Sequence, residues 1–270
     1  LNEIEMDASI VIGEGEIDDA PMLYIGEKVG SGIGKQLDIA VDPIEGTTPT
    51  ANGQQNGMTV LAVAPEGDLL HAPDMYMKKM AVGPKAKGKI NLQAPLIDNL
   101  EAIAKANGKT IDELQVLVQE RPRHDKLVDE IREAGAKVQL FLDGDVVYTL
   151  ATCIESSGVD LFIGTGGAPE GVVGAVAVKA FGGDMQAQLL PKDEVEVKRC
   201  QEMGLDNPAK ILSLDDLVKS DDCLFVATGI TDSLILPGLK VGKNTIESHS
   251  MLIHGEERKV RYINTLHNIE

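Results

Sequence analysis

Two carboxylates, Asp42 and Glu45, bracket a Pro-Ile pair at the end of an apolar run, in the stretch DIAVDPIEGTT from Asp38 to Thr48. Carboxylates this close raise one another's pKa values unless a cation sits between them. The stretch is therefore either a solvated turn or one wall of a cation site. Three more strand-like segments lead into similar turns: Gly13-Glu14-Gly15-Glu16 with Asp18 and Asp19, Asp143-Gly144-Asp145, and Gly166-Gly167-Ala168-Pro169-Glu170. Taken singly, each is more often a helix cap or an exposed loop. Four together, each with glycine to let backbone approach a ligand, favour a shared site for hard cations such as Mg²⁺ or Mn²⁺. In that reading Pro43 fixes one backbone angle, Gly46 relieves the turn, and the Ile44 carbonyl is a further oxygen in reach. Thr47 offers its hydroxyl to whatever oxygen the cations hold. A water bridging two cations about 4 Å apart is acidified and aimed in line at a phosphorus atom.

Such a site needs an anionic substrate, and ERPRHDK supplies a place to dock one. Arg121 and Arg123 follow the strand-like LQVLVQ and precede a helical stretch, so two guanidiniums and a helix N-terminus can face one phosphate. The competing reading is a surface cluster paired with Glu120 and Asp125. Other motifs fall away on inspection. GSGIGKQ lacks the phosphate-loop spacing and the Ser/Thr after Lys35, and GTGGAPEG lacks the dinucleotide spacing. The Asp143-Gly144-Asp145 triplet is weak evidence for a glycosyltransferase. His71, His249, His254 and His267 have no ligand spacing and read as structural or exposed.

The elements that must position these residues follow from apolar periodicity. A short buried strand runs from Ser9 to Ile12 and breaks at Gly13; APMLYIGEKVG then has helical spacing with a stop at Gly30. LDIAV is a continuous apolar strand. MTVLAVAPEGDLLHAPDMYM predicts a hairpin about Pro65-Glu66-Gly67-Asp68. APLIDNLEAIAKANG predicts an amphipathic helix ending near Gly108, and Thr110 with Glu113 a capping box. Beyond it LQVLVQ, AKVQLFL and VDLFIG alternate with helices over 124–134, 145–154 and 170–180, which predicts βαβ units. MQAQLL, CLFVATG, SMLIH and KVRYINTL are later strands. A composition shift near residue 110 sets the expected boundary, with an α/β subdomain over 1–112 carrying the main metal site and a second over 113–270 carrying the docking residues.

A net charge of −18 argues against nucleic acid or an anionic membrane as partner, and no apolar run reaches the ~20 residues that span a bilayer. Cys153, Cys200 and Cys223 lie far apart and read as reduced thiols of a cytoplasmic protein. The chain opens on Leu1, so the expected gene product extends upstream through a helix with a further metal-binding acid and a nearby lysine.

IVIGEGEIDDAPMLYIGEKVG, DIAVDPIEGTT, HAPDMYMKKMAVGP, RPRHD, DGDV and GTGGAPEGVV together resemble the class II fructose-1,6-bisphosphatases. That family belongs to the lithium-sensitive, metal-dependent sugar and inositol phosphatases. The similarity runs from about Met6 to near Leu266. It implies a layered α/β/α/β/α sandwich with mixed sheets, and hydrolysis of the 1-phosphate of fructose 1,6-bisphosphate with two or more Mn²⁺ or Mg²⁺ ions. By motif, Glu14, Asp42, Glu45 and Glu170 should be metal ligands. Asp18, Thr47 and Glu16 are the expected catalytic residues, Thr47 and Asp18 positioning or deprotonating the attacking water. Glu45, Gly46, Thr47, Tyr76, Arg121, Arg123, Asp143, Asp145 and Gly167 should border the substrate. Arg121 stands where many relatives have lysine. An insertion before the Asp-Pro turn, typical of members that also take sedoheptulose 1,7-bisphosphate, is absent, which favours the gluconeogenic type. A homo-oligomer is expected. The rival readings are a related phosphatase for inositol phosphates or nucleotide bisphosphates, and an inactive sugar-phosphate sensor.

Overall fold

The computed structural model describes residues 1–15, 21–205 and 207–269. Two mixed sheets carry the fold. The first holds β1 (Met6–Ile12), β2 (Lys28–Val29), β3 (Lys35–Glu45), β4 (Met58–Pro65), β11 (Leu224–Gly229), β12 (Lys240–Val241), β13 (Thr245–His254) and β14 (Lys259–Asn268), in the order β12-β13-β11-β4-β3-β1-β2 with β14 on β13. The second runs β10-β9-β5-β8-β6-β7, from β5 (Tyr76–Val82), β6 (Gln115–Gln119), β7 (Lys137–Phe141), β8 (Leu161–Gly167), β9 (Asp184–Leu189) and β10 (Leu212–Ser213). Sheet membership crosses residue 112 in both directions, since β5 joins the second sheet and β11–β14 return to the first.

The helices are α1 (Thr47–Ala51), α2 (Leu96–Asn107), α3 (Asp125–Glu133), α4 (Asp145–Ala151), α5 (Ala168–Phe181), α6 (Glu194–Glu202) and α7 (Leu214–Leu217). α5 is apolar on every side and packs on strands of both sheets, as an α-helix sandwiched between layers must. Its Val172, Val176 and Ala180 share one core with Val60 and Ala62 of β4 and Met77 of β5. α2 and α3 cover the other face of the second sheet through Leu100, Ile103, Val128 and Ile131. The outer face of the first sheet carries a smaller cluster of Met6, Ala8, Ile10, Ile39 and Val41, to which no described helix contributes. The layered α/β arrangement with mixed sheets is therefore present. Among the described residues no helix is long and apolar enough to cross a membrane.

The βαβ reading holds: β6 pairs in parallel with both β7 and β8, with α3 and α4 in the crossovers. α2 ends on Gly108, and the Thr110–Glu113 capping box is formed at a short 3₁₀ turn. Two local expectations fail. Residues 21–30 are not a helix; their backbone groups bond β1 instead, through Gly26 N to the Ile10 oxygen (2.8 Å) and Ile10 N to the Glu27 oxygen (2.9 Å), and Leu23 takes a positive φ of 58°. Apolar residues at helical spacing there cover the edge of β1. Nor do residues 58–77 form a hairpin. Both edges of β4 are taken by β3 and β11, so after the Pro65 turn the chain crosses to the second sheet, where β5 lies between β8 and β9.

Candidate active site

Residues three apart on a strand face opposite sides, so Asp42 and Glu45 should diverge. They do not, because β3 bulges at Pro43-Ile44. Asp42 pairs with Val60 and Glu45 with Met58, which leaves three steps on β3 against two on β4. Val60 and Met58 both face the inner core, so the two carboxylates emerge on that side, while Ile44 is turned outward, 43 % exposed. The bulge is closed by Ile44 N donating to Asp42 Oδ1 (2.9 Å) and Thr59 Oγ1 donating to the Pro43 oxygen (2.7 Å). Glu45 is buried, and Val146 N at the start of α4 donates to its Oε1 at 3.0 Å.

Glu170 reaches the same place from α5. Its carboxylate folds back over the helix start, so that a Cβ on Gly167 would lie 1.9 Å from Oε2. That oxygen is buried and has no hydrogen-bond partner. Burial, then the charges of Glu170 and Asp42, push Glu45 well above the usual carboxylate range, and burial also raises Glu170. A buried Glu45 that feels the charges of Asp42 and Glu170, beside an unpartnered Glu170 oxygen, suits a hard divalent cation, for which these three carboxylates would be the ligands.

β1 runs parallel to β3 with Ile12 opposite Ala40, so Glu14, two residues past Ile12, is exposed at the same end of the sheet as Asp42. Thr47 is exposed and opens α1 directly after Gly46. Asp18 and Glu16 lie outside the described residues.

Across a cleft of about 210 Å³ from Glu45 and Glu170 stand Tyr76, Arg121 and Arg123, with Asp143 and Asp145 also on its wall. Arg123 is held in place by its own chain. Its Nε donates to the Thr165 oxygen (2.9 Å), one terminal nitrogen donates to Gln119 Oε1 (2.7 Å), and the guanidinium lies 4.9 Å from the centre of the Tyr76 ring. Arg121 donates to the Glu120 backbone oxygen rather than to its carboxylate. Neither arginine forms an ion pair among the described residues, so the surface-cluster reading loses its support. Burial raises the pKa of Asp143, and the Arg121 charge opposes that shift. The structure thus gathers Glu45, Glu170, Tyr76, Arg121, Arg123, Asp143, Asp145 and Gly167 around one cleft.

His124 braces the arginine side. Its Nδ1 lies 2.7 Å from the Gln119 oxygen and its Nε2 2.8 Å from Thr165 N, which requires a neutral ring donating from Nδ1 and accepting at Nε2. Burial, with Arg123 and Arg121 nearby, lowers its pKa; Asp145 and the Gln119 oxygen pull the other way. A depressed histidine pKa means that the folded state resists protonation. The stability His124 contributes is therefore complete above the unfolded value near 6.5 and is lost as pH falls below it. His124→Gln should lower the urea midpoint at pH 7.5, and the gap from wild type should narrow at pH 5.5. A gap that stays constant would mean that the ring does not titrate.

Two features of the structure, one here and one elsewhere, were not expected from sequence. Lys79 is buried, with Nζ 2.6 Å from Asp145 Oδ2 and 2.9 Å from the Gly167 oxygen. Strand periodicity places it on one face with Met77 and Ala81, which is the signal that could have found it. Second, His254 meets Asp222 (3.1 Å) and Glu256 in a compact group at the other end of the first sheet from Glu45. Lys35 already lies 3.4 Å from Asp222 there.

Carboxylates and two arginines thus line one cleft of an α/β sandwich, a donor set suited to a cation and a phosphate together. The profile described as "Bacterial fructose-1,6-bisphosphatase, glpX-encoded" matches residues 1–267. Fructose-1,6-bisphosphatase 1 class 2 of Escherichia coli K12 is 47% identical over 283 residues, covering 100% of this chain and 84% of the relative. The class 2 enzyme of Haemophilus influenzae is also 47% identical, covering 100% and 85%. A Prochlorococcus marinus protein named D-fructose 1,6-bisphosphatase class 2/sedoheptulose 1,7-bisphosphatase is 42% identical, covering 99% and 84%. The chain belongs to the class II, glpX-encoded fructose-1,6-bisphosphatase family.

Proposed function

We propose that this chain is a metal-dependent phosphatase that removes the 1-phosphate of fructose 1,6-bisphosphate, in the gluconeogenic direction. The observation that carries the reading is one cleft lined both by Glu45 and Glu170, whose charges act together with that of Asp42, and by Arg121 and Arg123. Divalent cations bound to those carboxylates would neutralise the phosphate being cleaved and acidify the attacking water. Mn²⁺ and Mg²⁺ both suit the all-oxygen donor set, with Glu14 as a further ligand. Thr47, at the start of α1, is assigned to positioning that water, together with Asp18 and Glu16. Arg121 and Arg123 take the distal phosphate. Tyr76, Asp143, Asp145 and the Gly46 and Gly167 backbone border the sugar. The Asp-Pro-Ile-Glu-Gly-Thr turn further supports a place among the lithium-sensitive phosphatases. A cytoplasmic homo-oligomer is the assembly we assign.

The test separates docking from chemistry. Phosphate release should be measured across sugar mono- and bisphosphates, sedoheptulose 1,7-bisphosphate, an inositol phosphate and a nucleotide bisphosphate, with Mg²⁺ and with Mn²⁺. Fructose 1,6-bisphosphate should be the preferred substrate. In Arg123→Ala its KM should rise by roughly tenfold to a hundredfold, for the loss of a charge-assisted contact of ~1.5–3 kcal/mol. Fructose 1-phosphate, which lacks the distal group, should be hydrolysed as by wild type. Equal losses on both would place Arg123 in the fold or at the metal end. No turnover of any ester by wild type would favour the sugar-phosphate sensor.

A further inference from the structure

Four carboxylates line this cleft, Glu45, Asp143, Asp145 and Glu170, and nothing in their chemistry says which should hold cations and which should hold sugar. Lys79 divides them. It stands in the middle of β5, 1 % exposed, in a strand whose other inward residues are apolar. A lysine is seldom buried this deeply unless its charge is matched, and here Asp145 matches it at 2.6 Å. A second ammonium hydrogen goes to the Gly167 oxygen, the residue that precedes α5 and the Glu170 turn.

The glycine-rich stretch of β8 and α5 is built around this side chain. A Cβ on Gly166 would lie 2.1 Å from Asp145 Oδ2 and 3.2 Å from Lys79 Nζ, and one on Gly171 would lie 3.1 Å from Lys79 Cδ and 2.7 Å from Met77 Sδ. The glycines of GTGGAPEG make room for the protein's own lysine and carboxylates, not for a dinucleotide. The pair also leaves Asp145 with one committed oxygen and one free: Oδ1 is buried and has no partner.

We propose that Lys79 is a positioning residue that withholds Asp145 from the cation-binding set and keeps its Oδ1 free for a hydroxyl of the sugar. The ammonium already occupies Asp145 Oδ2, and its charge would repel a cation from that carboxylate. Asp42, Glu45 and Glu170 therefore bind cations, and Asp145 binds substrate. The inference rests on the cation site proposed above.

Mn²⁺ binding to the metal-free protein, measured by titration calorimetry, tests the division without relying on turnover. Lys79→Met keeps the length of the side chain and removes its charge. It should bind Mn²⁺ more tightly than wild type, on the order of tenfold, because a repelling charge is lost and a carboxylate is released to join the site. Its kcat/KM for fructose 1,6-bisphosphate should fall at least ~30-fold as Asp145 leaves the sugar. Asp145→Asn added to Lys79→Met should return Mn²⁺ affinity to the wild-type level. A purely structural lysine predicts the opposite sign, since a loosened site binds cations less well. Unchanged or weaker Mn²⁺ binding in folded Lys79→Met overturns the proposal. Should that variant fail to fold, Asp145→Asn alone decides: Mn²⁺ affinity equal to wild type supports the division, and a tenfold loss puts Asp145 among the ligands. Wild-type protein that binds no Mn²⁺ overturns the cation site and this inference with it.

Discussion

Glu45→Gln is expected to reduce turnover of fructose 1,6-bisphosphate by roughly two orders of magnitude or more while leaving the fold intact. The substitution keeps the shape of the side chain, and the amide oxygen can still accept the Val146 N–H that Glu45 Oε1 accepts at 3.0 Å. What it removes is one charge from a buried group of carboxylates. The consequence for stability has a definite sign. Burial and its neighbours push the Glu45 pKa up, so ionised Glu45 opposes folding in the metal-free protein. The metal-free variant should therefore melt at the same temperature as metal-free wild type, or higher. Near-normal turnover at low metal would reduce Glu45 to a turn residue. A collapse in melting temperature would show that its charge serves the fold.

The second large effect should come from removing the cations altogether. Exhaustively chelated protein should release no phosphate, and added Mn²⁺ or Mg²⁺ should restore release. The same titration should raise the melting temperature, because a cation that binds only the folded chain stabilises it by about 2.7 kcal/mol at a hundred times its dissociation constant. Millimolar Li⁺ should inhibit if the proposed superfamily place is right. Undiminished hydrolysis after chelation would refute the carboxylate group as a metal site.

Legibility followed the range of the forces involved. The strands and helices from Leu96 to Phe181 could be read because their signals are local: an apolar stripe, a capping box at Thr110, a glycine stop at Gly108. The stretch 21–30 carried a helical spacing too, but its hydrogen bonds go to β1, and spacing cannot reveal a partner. The Pro65 turn misled for the same reason, since β4 was already paired on both edges by strands 20 and 160 residues away in order of magnitude. At the site, carboxylates and arginines next to glycine and proline announced themselves by being costly. Lys79 did not, because in YMKKMAV it sits beside Lys78 and the pair passes for a solvated strand edge. The bulge at Pro43-Ile44 was also hidden, although it alone explains how residues three apart on a strand come to share a face.

The hydrogen bond from Val146 to Glu45 joins residues 101 positions apart and belongs to neither sheet. β3 delivers one partner from the first sheet, and α4, which follows β7 of the second, delivers the other. The first sheet is itself unfinished until β11 arrives from beyond residue 220 to cover the free edge of β4, with β13 added outside it. During folding, then, the carboxylates of the Asp-Pro turn must wait for segments more than a hundred residues further along before the site around them is organised. The site has no local precursor. Its assembly is a late step of folding, in which Asp42 and Glu45 wait for Val146 on α4 and Glu170 on α5 to be brought to them.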